Sequence, residues 1–290
     1  MTPPADIAEH WALALEKPFE PIPALTNAVF RSGSYVVRCE RRPTESVRWE
    51  HDLLLFLAAD VPEVTAPLRA RDGTTFVARQ GHIVSIFPYV EGEHVHRSDE
   101  SVGPQLAEVL ARIHRRALAW PVDAQRPVQP SFQELDWEKN LWWDLALFEL
   151  SPIVADALDR SRAWLATQPS LAVCAIHGDL HPGNILTHDG RIAAILDWSF
   201  ARLDWPAFDL ACGVGISALG QDGAIDDAVA GRVVEAYTAA DGPGELEPLE
   251  PLLRIFFLAI SLFSLTLTAR GQVSNPEMVA LMERALARLA

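Results

Sequence analysis

Cysteine is scarce: Cys39, Cys174 and Cys212 are scattered and odd in number. Such a set builds neither a disulfide framework nor a zinc cluster, and a reducing cytoplasm is the compartment it suggests. The opening MTPPADIAEHWALALEKPFEP lacks the basic start and apolar run of a secretory signal, so no export is expected. No apolar run reaches the roughly 20 residues a bilayer requires. The best candidate, IFFLAISLFSLTLTA, lies between Arg254 and Arg270 and contains Ser261, Ser264, Thr266 and Thr268, as a core helix of a globular body does. Positive charge is short as well, with Lys+Arg 24 against Asp+Glu 39 and a formal charge of -15. That balance repels phosphate backbones and argues against nucleic acid as the partner; it would favour a cationic substrate, or else serve solubility alone. Internal repeats and low-complexity tracts are absent.

What is present is a globular composition, 49% hydrophobic and 22% charged, with length for one large domain or two lobes. β-type runs occupy Ser34-Tyr-Val-Val-Arg-Cys39, Thr75-Phe-Val-Ala78 and Ile83-Val-Ser-Ile-Phe-Pro-Tyr-Val90, with Asp72-Gly73 as a hairpin signal. Between them, 45–59 places Val47, Leu54, Leu55 and Leu57 at helical spacing. Beyond Glu91-Gly92 helices dominate. The spacing predicts them at about 105–120, 134–149, 151–167, 207–219, 224–239, 247–270 and 275–289, with short strands near Ile185-Leu186 and 193–196. The expected fold class is α+β, with a small β-rich lobe at 1–90, a larger mostly helical lobe at 91–290, and a ligand cleft between them.

One polar segment stands apart: His177-Gly-Asp-Leu-His-Pro-Gly-Asn-Ile-Leu186, then Ala194-Ile-Leu-Asp-Trp198, then Pro206-Ala-Phe-Asp-Leu-Ala211. Its glycines and proline make the first piece a loop that presents Asp179 and Asn184, while a short apolar strand delivers Asp197. Phosphoryl transfer needs in-line placement of a hydroxyl and positive charge over phosphate oxygens. A Mg2+ ion, held by one or two protein oxygens plus phosphates and water, supplies such charge, and Asn184 with Asp197 are the candidate ligands. Asp179 is the candidate base that orients the attacking hydroxyl and takes its proton. Asp209, at the start of a helix after Pro206, is expected to accept loop amides; His177 is expected to anchor the turn, and His181 to lie near phosphate.

HGDLHPGNIL followed by ILDW and PAFDLA resembles the aminoglycoside phosphotransferase family, with its choline-kinase-like and homoserine-kinase-like relatives. The resemblance implies a two-lobed protein kinase-like fold that uses ATP and Mg2+ to phosphorylate an alcohol, and it extends outward over most of the chain. LTNAVFRSGSYVVR is similar to the nucleotide-loop hairpin, which would bring Thr26, Asn27 and Arg38 to the nucleotide. RWEHDLLLFLA is similar to the upper-lobe helix, whose Glu50 would pair with Arg38, and FPYVEGE to the hinge, where Phe87, Tyr89 and Val90 would receive adenine through backbone groups. Three departures stand out. Arg38 replaces the family's usual Lys, putting a planar fork of donors where a compact ammonium is common. The loop Leu25-Thr-Asn-Ala-Val-Phe30 has no glycine to let the backbone approach phosphate. Asp204-Trp205 precedes Pro206 where relatives show Gly-Asp.

Rival readings are weaker. His177, Asp179 and His181 lack the helical frame that converges two imidazoles on zinc. A G-x-S-x-G elbow for a serine hydrolase is missing. A protein Ser/Thr kinase of the same fold would place Lys where His181 stands and would carry A-P-E after Asp197. A non-catalytic nucleotide-binding scaffold fits the missing glycines and Arg38, but not the retention of Asp179, Asn184 and Asp197 together. His94 and His96 read as surface loop residues. Trp137, Trp142, Trp143 and Asp144 form either a wall for a cationic acceptor or the core face of a helix. The acceptor is expected to be a small-molecule alcohol, aminoglycoside-like, choline-like or homoserine-like.

Overall fold

Residues 28–40 lay down two strands joined at Gly33, whose φ of 59° suits the tight turn, and the second strand buries Arg38 and Glu40 together with Val37 and Cys39. The computed structural model describes residues 3, 6–16, 18–24, 27–79, 81–96, 100–121, 126, 129–168, 171–272 and 275–289. Its elements in chain order begin with α1 (Ile7–Trp11), β1 (Glu20–Ile22), β2 (Ala28–Ser32), β3 (Tyr35–Glu40), α2 (Thr44–Leu57), β4 (Val77–Arg79), β5 (His82–Pro88) and β6 (Glu93–His94). There follow α3 (Val102–Ala117), α4 (Pro152–Thr167), β7 (Cys174–Ile176), β8 (Ile185–His188), β9 (Arg191–Ile195) and β10 (Arg202–Asp204). The chain then runs through α5 (Pro206–Ala218), α6 (Asp227–Ala239), α7 (Leu249–Ala269) and α8 (Pro276–Arg288).

Two compact units form. The first holds Met1–His94, Arg126–Val128 and Asn184–Ser199; the second holds the rest. A single cut after residue 90 therefore differs from the packing, because the β8–β9 hairpin folds with the first unit. It does so through the pairing of β6 with β8 and through Ile195, whose N–H donates to Glu63 O at 2.8 Å.

In the first unit an antiparallel sheet of order β1-β2-β3-β5-β4 carries Arg38 opposite Ser85 and Val36 opposite Phe87. Its core gathers Ile7, Trp11, Phe30, Val37, Cys39, Val84 and Ile86. The Asp72-Gly73 signal marks a tight loop in which Asp72 Oδ1 accepts the Thr74 amide at 3.0 Å. Helix α2 buries Val47, Leu53, Leu54 and Leu57, but also Ser46, Glu50 and His51.

In the second unit, α5 is buried along its whole length, with Pro206 preset at its first turn. Helix α3 packs on α5, α6 and β7, and α7 on α5, α4 and α8. The apolar segment is longer than the sequence run suggested: α7 spans 21 residues, long and apolar enough to cross a membrane by length and composition, and half of its most apolar stretch is buried. The helix expected at 134–149 is corrected, since only a 3-10 turn at Leu145–Leu147 forms there. Asp136, Asn140 and Asp144 each accept backbone amides two or three residues ahead, replacing helical bonds with local turns. All three cysteines are buried and free, and burial raises each thiol above its ordinary pKa, Cys39 to about 11.

The tight α5–α7 contact gives a paired prediction. A Cβ at Gly215 would lie 2.6 Å from the Phe256 ring, whereas one at Gly231 meets nothing within 4 Å. Gly215→Ala is expected to destabilise by about 1–3 kcal/mol, and Gly231→Ala in α6 to stabilise by up to about 1 kcal/mol. Urea midpoints measure both, and equal shifts would contradict the packing described.

Candidate active site

The turn that carries Asp179 follows β7 directly, and four of its backbone groups are held by side chains of the second unit. Asp209, with no exposed surface, accepts the His177 amide at 2.7 Å and the Gly178 amide at 2.9 Å. Gly178 has φ 78°, and its carbonyl accepts from Arg202 Nη1 at 3.4 Å. The Asp179 amide donates to His177 Nδ1 at 3.2 Å. Side chains replace helix or sheet bonds here, so the loop is fixed without regular structure. The Asp179 carboxylate is 38% exposed, and His181 Nε2 lies 4.0 Å from its Oδ2. Among the described residues no three His, Cys, Asp or Glu side chains gather into a metal group, as the zinc reading requires.

Behind Asp209 the chain of contacts continues inward. His114 Nε2 lies 3.3 Å from Asp209 Oδ2, His114 Nδ1 lies 2.8 Å from the Tyr237 hydroxyl, and that hydroxyl donates to Pro243 O at 2.7 Å. Burial opposes ionisation of Asp209, yet the His114 hydrogen bond, nearby His177 and the Gly178 amide hold its carboxyl below the ordinary value. Arg202 is caged by aromatic faces, 4.5 Å from the Phe132 centroid, 5.4 Å from Phe208 and 5.6 Å from Trp142. Asp204 accepts Arg202 Nε at 2.9 Å and the Phe132 amide at 3.2 Å, so the residue that departs from the family pattern braces the guanidinium that reaches Gly178. Burial raises the Asp204 carboxyl although Arg202 acts the other way.

In the first unit, Asn184 closes a 3-10 turn, is buried, and accepts the Leu196 amide on its backbone carbonyl at 2.7 Å. Asp197 follows β9 in the left-handed region at φ 54°, a conformation that Asp tolerates better than most side chains, and its Oδ1 accepts the Ser199 amide at 3.3 Å. An amide oxygen and a partly exposed carboxylate are hard donors that suit Mg2+. Arg38 Nη2 lies 2.7 Å from Glu50 Oε1 and 3.1 Å from Glu40 Oε1. Burial works against the charge on Arg38, but Glu40, Glu50 and Asp197 raise its pKa above the ordinary value. His51 is pushed down to about 3, first by burial and then by Arg38, so the ring is neutral. Its Nδ1–H then donates to Thr75 Oγ1 at 2.8 Å, with Nε2 3.4 Å from Arg38.

The remaining expected residues fall in varied places. Thr26 lies outside the described residues. Asn27 precedes β2 at intermediate burial. The Phe87 ring stacks on the Arg38 guanidinium at 4.9 Å, and Arg31 covers the Tyr89 ring at 3.9 Å. The hinge expectation narrows, because Pro88 has no N–H and the Tyr89 amide donates to Ser34 O at 2.8 Å. Val90 is half-buried just beyond β5.

The aromatic wall is also revised. Trp137, Trp142 and Trp143 are buried against one another and against Phe132 and Phe200, and the cation over Trp142 is the chain's own Arg202. Asp144 is buried and ion-paired with Lys139 at 2.8 Å. Sequence reasoning gave no role to His51, which lies within RWEHDLLLFLA, or to His114, Arg42, Arg126 and Arg202; the available signal was Ser46, Glu50 and His51 on the buried side of an otherwise apolar helix face.

The solved structure of amicoumacin kinase hAmiN in complex with AMP-PNP, Ca2+ and Ami matches with a TM-score of 0.73 at 17% identity, over 97% of this chain and 91% of that one. The fold is thus that of the protein kinase-like phosphotransferases, mixed α and β with a sheet-bearing part and a helical part. Residues 19–252 match the phosphotransferase enzyme family, and the chain belongs to it. A homoserine kinase of Pseudomonas aeruginosa is 25% identical over 209 residues, 71% of this chain and 65% of the relative. Stress response kinase A of Salmonella choleraesuis is 31% identical over 164 residues, 55% of this chain and 49% of the relative. The aligned region therefore spans less than two thirds of either curated protein's length.

Asp209→Asn sets an NH2 group against backbone donors and is expected to cost about 2–4 kcal/mol at neutral pH. Because the folded pKa of Asp209 is depressed, its contribution is complete above the unfolded value and lost as pH falls through the folded one. The gap between wild type and variant in urea unfolding should hold from neutral pH down to about 4 and shrink below it. A gap that is absent at pH 7, or that widens in acid, would contradict this role.

Proposed function

We propose that the chain is an ATP- and Mg2+-dependent phosphotransferase acting on a hydroxyl of a small molecule. The observation that carries this reading is the turn at 177–179, where Asp209, Arg202 and His177 restrain the backbone while the Asp179 carboxylate stays partly exposed. A partly exposed carboxylate on a restrained turn suits a base that orients an alcohol and accepts its proton.

Asn184 and Asp197 fit a Mg2+ ion, which when bound neutralises phosphate charge. Arg38, tied to Glu50, is the cation assigned to the nucleotide phosphates, and its fork geometry serves oxygen acceptors as a Lys would by charge alone. The hinge strand and Asn27 are assigned to the nucleotide. His181, beside Asp179, is assigned to the neighbourhood of the transferred phosphate.

The acceptor class is an amino alcohol of low molecular weight. Homoserine heads the panel, because the relative named homoserine kinase aligns with 71% of the chain. The burial of Trp137, Trp142 and Trp143 removes the separate argument for a quaternary amine.

The test is Mg2+-dependent ADP release across a panel of alcohols, with denatured protein as a contrasting acceptor. Turnover on an amino alcohol is expected, and Asp179→Asn is expected to lower kcat by at least about 100-fold with nucleotide binding retained. Equal turnover by the variant would overturn the assignment of the base, and phosphorylation of protein alone would overturn the acceptor class.

A further inference from the structure

Three arginines converge on one carboxylate in the first unit, and two of them continue to the backbone just after Asp197. Glu50 Oε1 meets Arg38 Nη2 at 2.7 Å, while Glu50 Oε2 meets Arg126 Nη2 at 2.7 Å and Arg42 Nη1 at 2.6 Å. Burial opposes the charge on Glu50, yet the three guanidiniums hold its carboxyl well below the ordinary value. Arg126 is 1% exposed and spreads its fork over three acceptors: Nε to Ser46 Oγ at 3.0 Å, Nη1 to Trp198 O at 2.9 Å, and Nη2 to Glu50. Arg42 also bonds Glu40 and reaches Ser199 O at 3.5 Å.

The two carbonyls that follow Asp197 are thus each held by an arginine anchored on Glu50. Asp197 itself sits at φ 54°, a backbone state that persists when its surroundings over-determine it. The Trp198 indole donates to Ile195 O at 3.1 Å and the Ser199 amide to Asp197 Oδ1 at 3.3 Å, closing the loop on both sides. The familiar pairing of a strand cation with a helix glutamate explains Arg38 and Glu50, but not a second and third guanidinium on the same carboxylate.

We propose that Arg126 is a positioning residue for the metal-bearing loop: by joining Glu50 and Ser46 of α2 to the carbonyl of Trp198, it fixes the backbone that presents Asp197 and ties that loop to the phosphate cation Arg38. The proposal rests on the reading of Asp197 as a metal ligand. A planar fork meets the three acceptors at once, whereas a lysine ammonium supplies charge without that span. Arg126 therefore acts on metal binding through geometry more than through charge.

The experiment is Mn2+ titration by electron paramagnetic resonance in the presence of ADP, on full-length wild type, Arg126→Met, Arg126→Lys and Ser46→Ala, with ADP affinity measured separately without metal. Loss of outer contacts to a metal ligand weakens metal binding about 10- to 100-fold. Arg126→Met is expected in that range, Arg126→Lys and Ser46→Ala to weaken Mn2+ binding less than Arg126→Met but measurably below wild type, and metal-free ADP affinity to change less than Mn2+ affinity does. Amide exchange at Ser199 should quicken in the same order. A folded Arg126→Lys or Ser46→Ala protein with wild-type Mn2+ affinity would overturn the proposal even if Arg126→Met fails to fold. Wild type that binds ADP but no Mn2+ would overturn the metal reading itself, a result distinct from equal binding by wild type and variants.

Discussion

Removing a carboxylate from water costs several kcal/mol unless hydrogen bonds replace its hydration. Asp209 has no exposed surface, and its replacements are the amides of His177 and Gly178 together with His114. The position of Asp179 depends on that exchange. Asp209 occupies the first turn of α5, a helix buried throughout and packed against α3, α6 and α7, so the carboxylate cannot move without disturbing the centre of the second unit. A rigid helix thereby fixes a loop that lacks ladder bonds of its own. For the base role proposed for Asp179, such prior ordering would be the source of the rate advantage.

The first unit uses the same physical device with more charge. Ser46, Glu50 and His51 occupy buried positions on α2 that a plain amphipathic helix would fill with apolar side chains. Local rules broken in this way mark functional places, because the cost of burial is offset only by a specific set of partners. Here the partners are Arg38, Arg42 and Arg126 around Glu50, with neutral His51 lying between Arg38 and Thr75. In each unit a buried carboxylate, Glu50 in the first and Asp209 in the second, helps to organise a loop bearing a more accessible carboxylate.

Much of this was legible in the sequence, and the rest was not for identifiable reasons. The turn around Asp179 announces itself through Gly178, Pro182 and Gly183 amid polar residues, and the long helices through apolar spacing. Strands β7 and β10 pair over only three residues each and across a long stretch of chain, so no local pattern reveals them. The stretch at 134–149 has helical apolar spacing, but Asp136, Asn140 and Asp144 recur every four residues and bind the amides ahead of them. Its tryptophans do meet a cation, and that cation is Arg202, a single residue with no motif around it. Arg126 and His114 are equally silent, since their roles arise from contacts with distant residues.

Membership of the phosphotransferase enzyme family sets the chemistry within which these contacts act, and the buried carboxylate explains how a loop can be precise enough for it. Native-state hydrogen exchange at the His177 and Gly178 amides measures that constraint directly. Protection equal to that of the most protected α5 amides is the predicted result, because freeing either N–H leaves Asp209 unsolvated in the core. Rapid exchange of both amides while α5 remains protected would contradict the account.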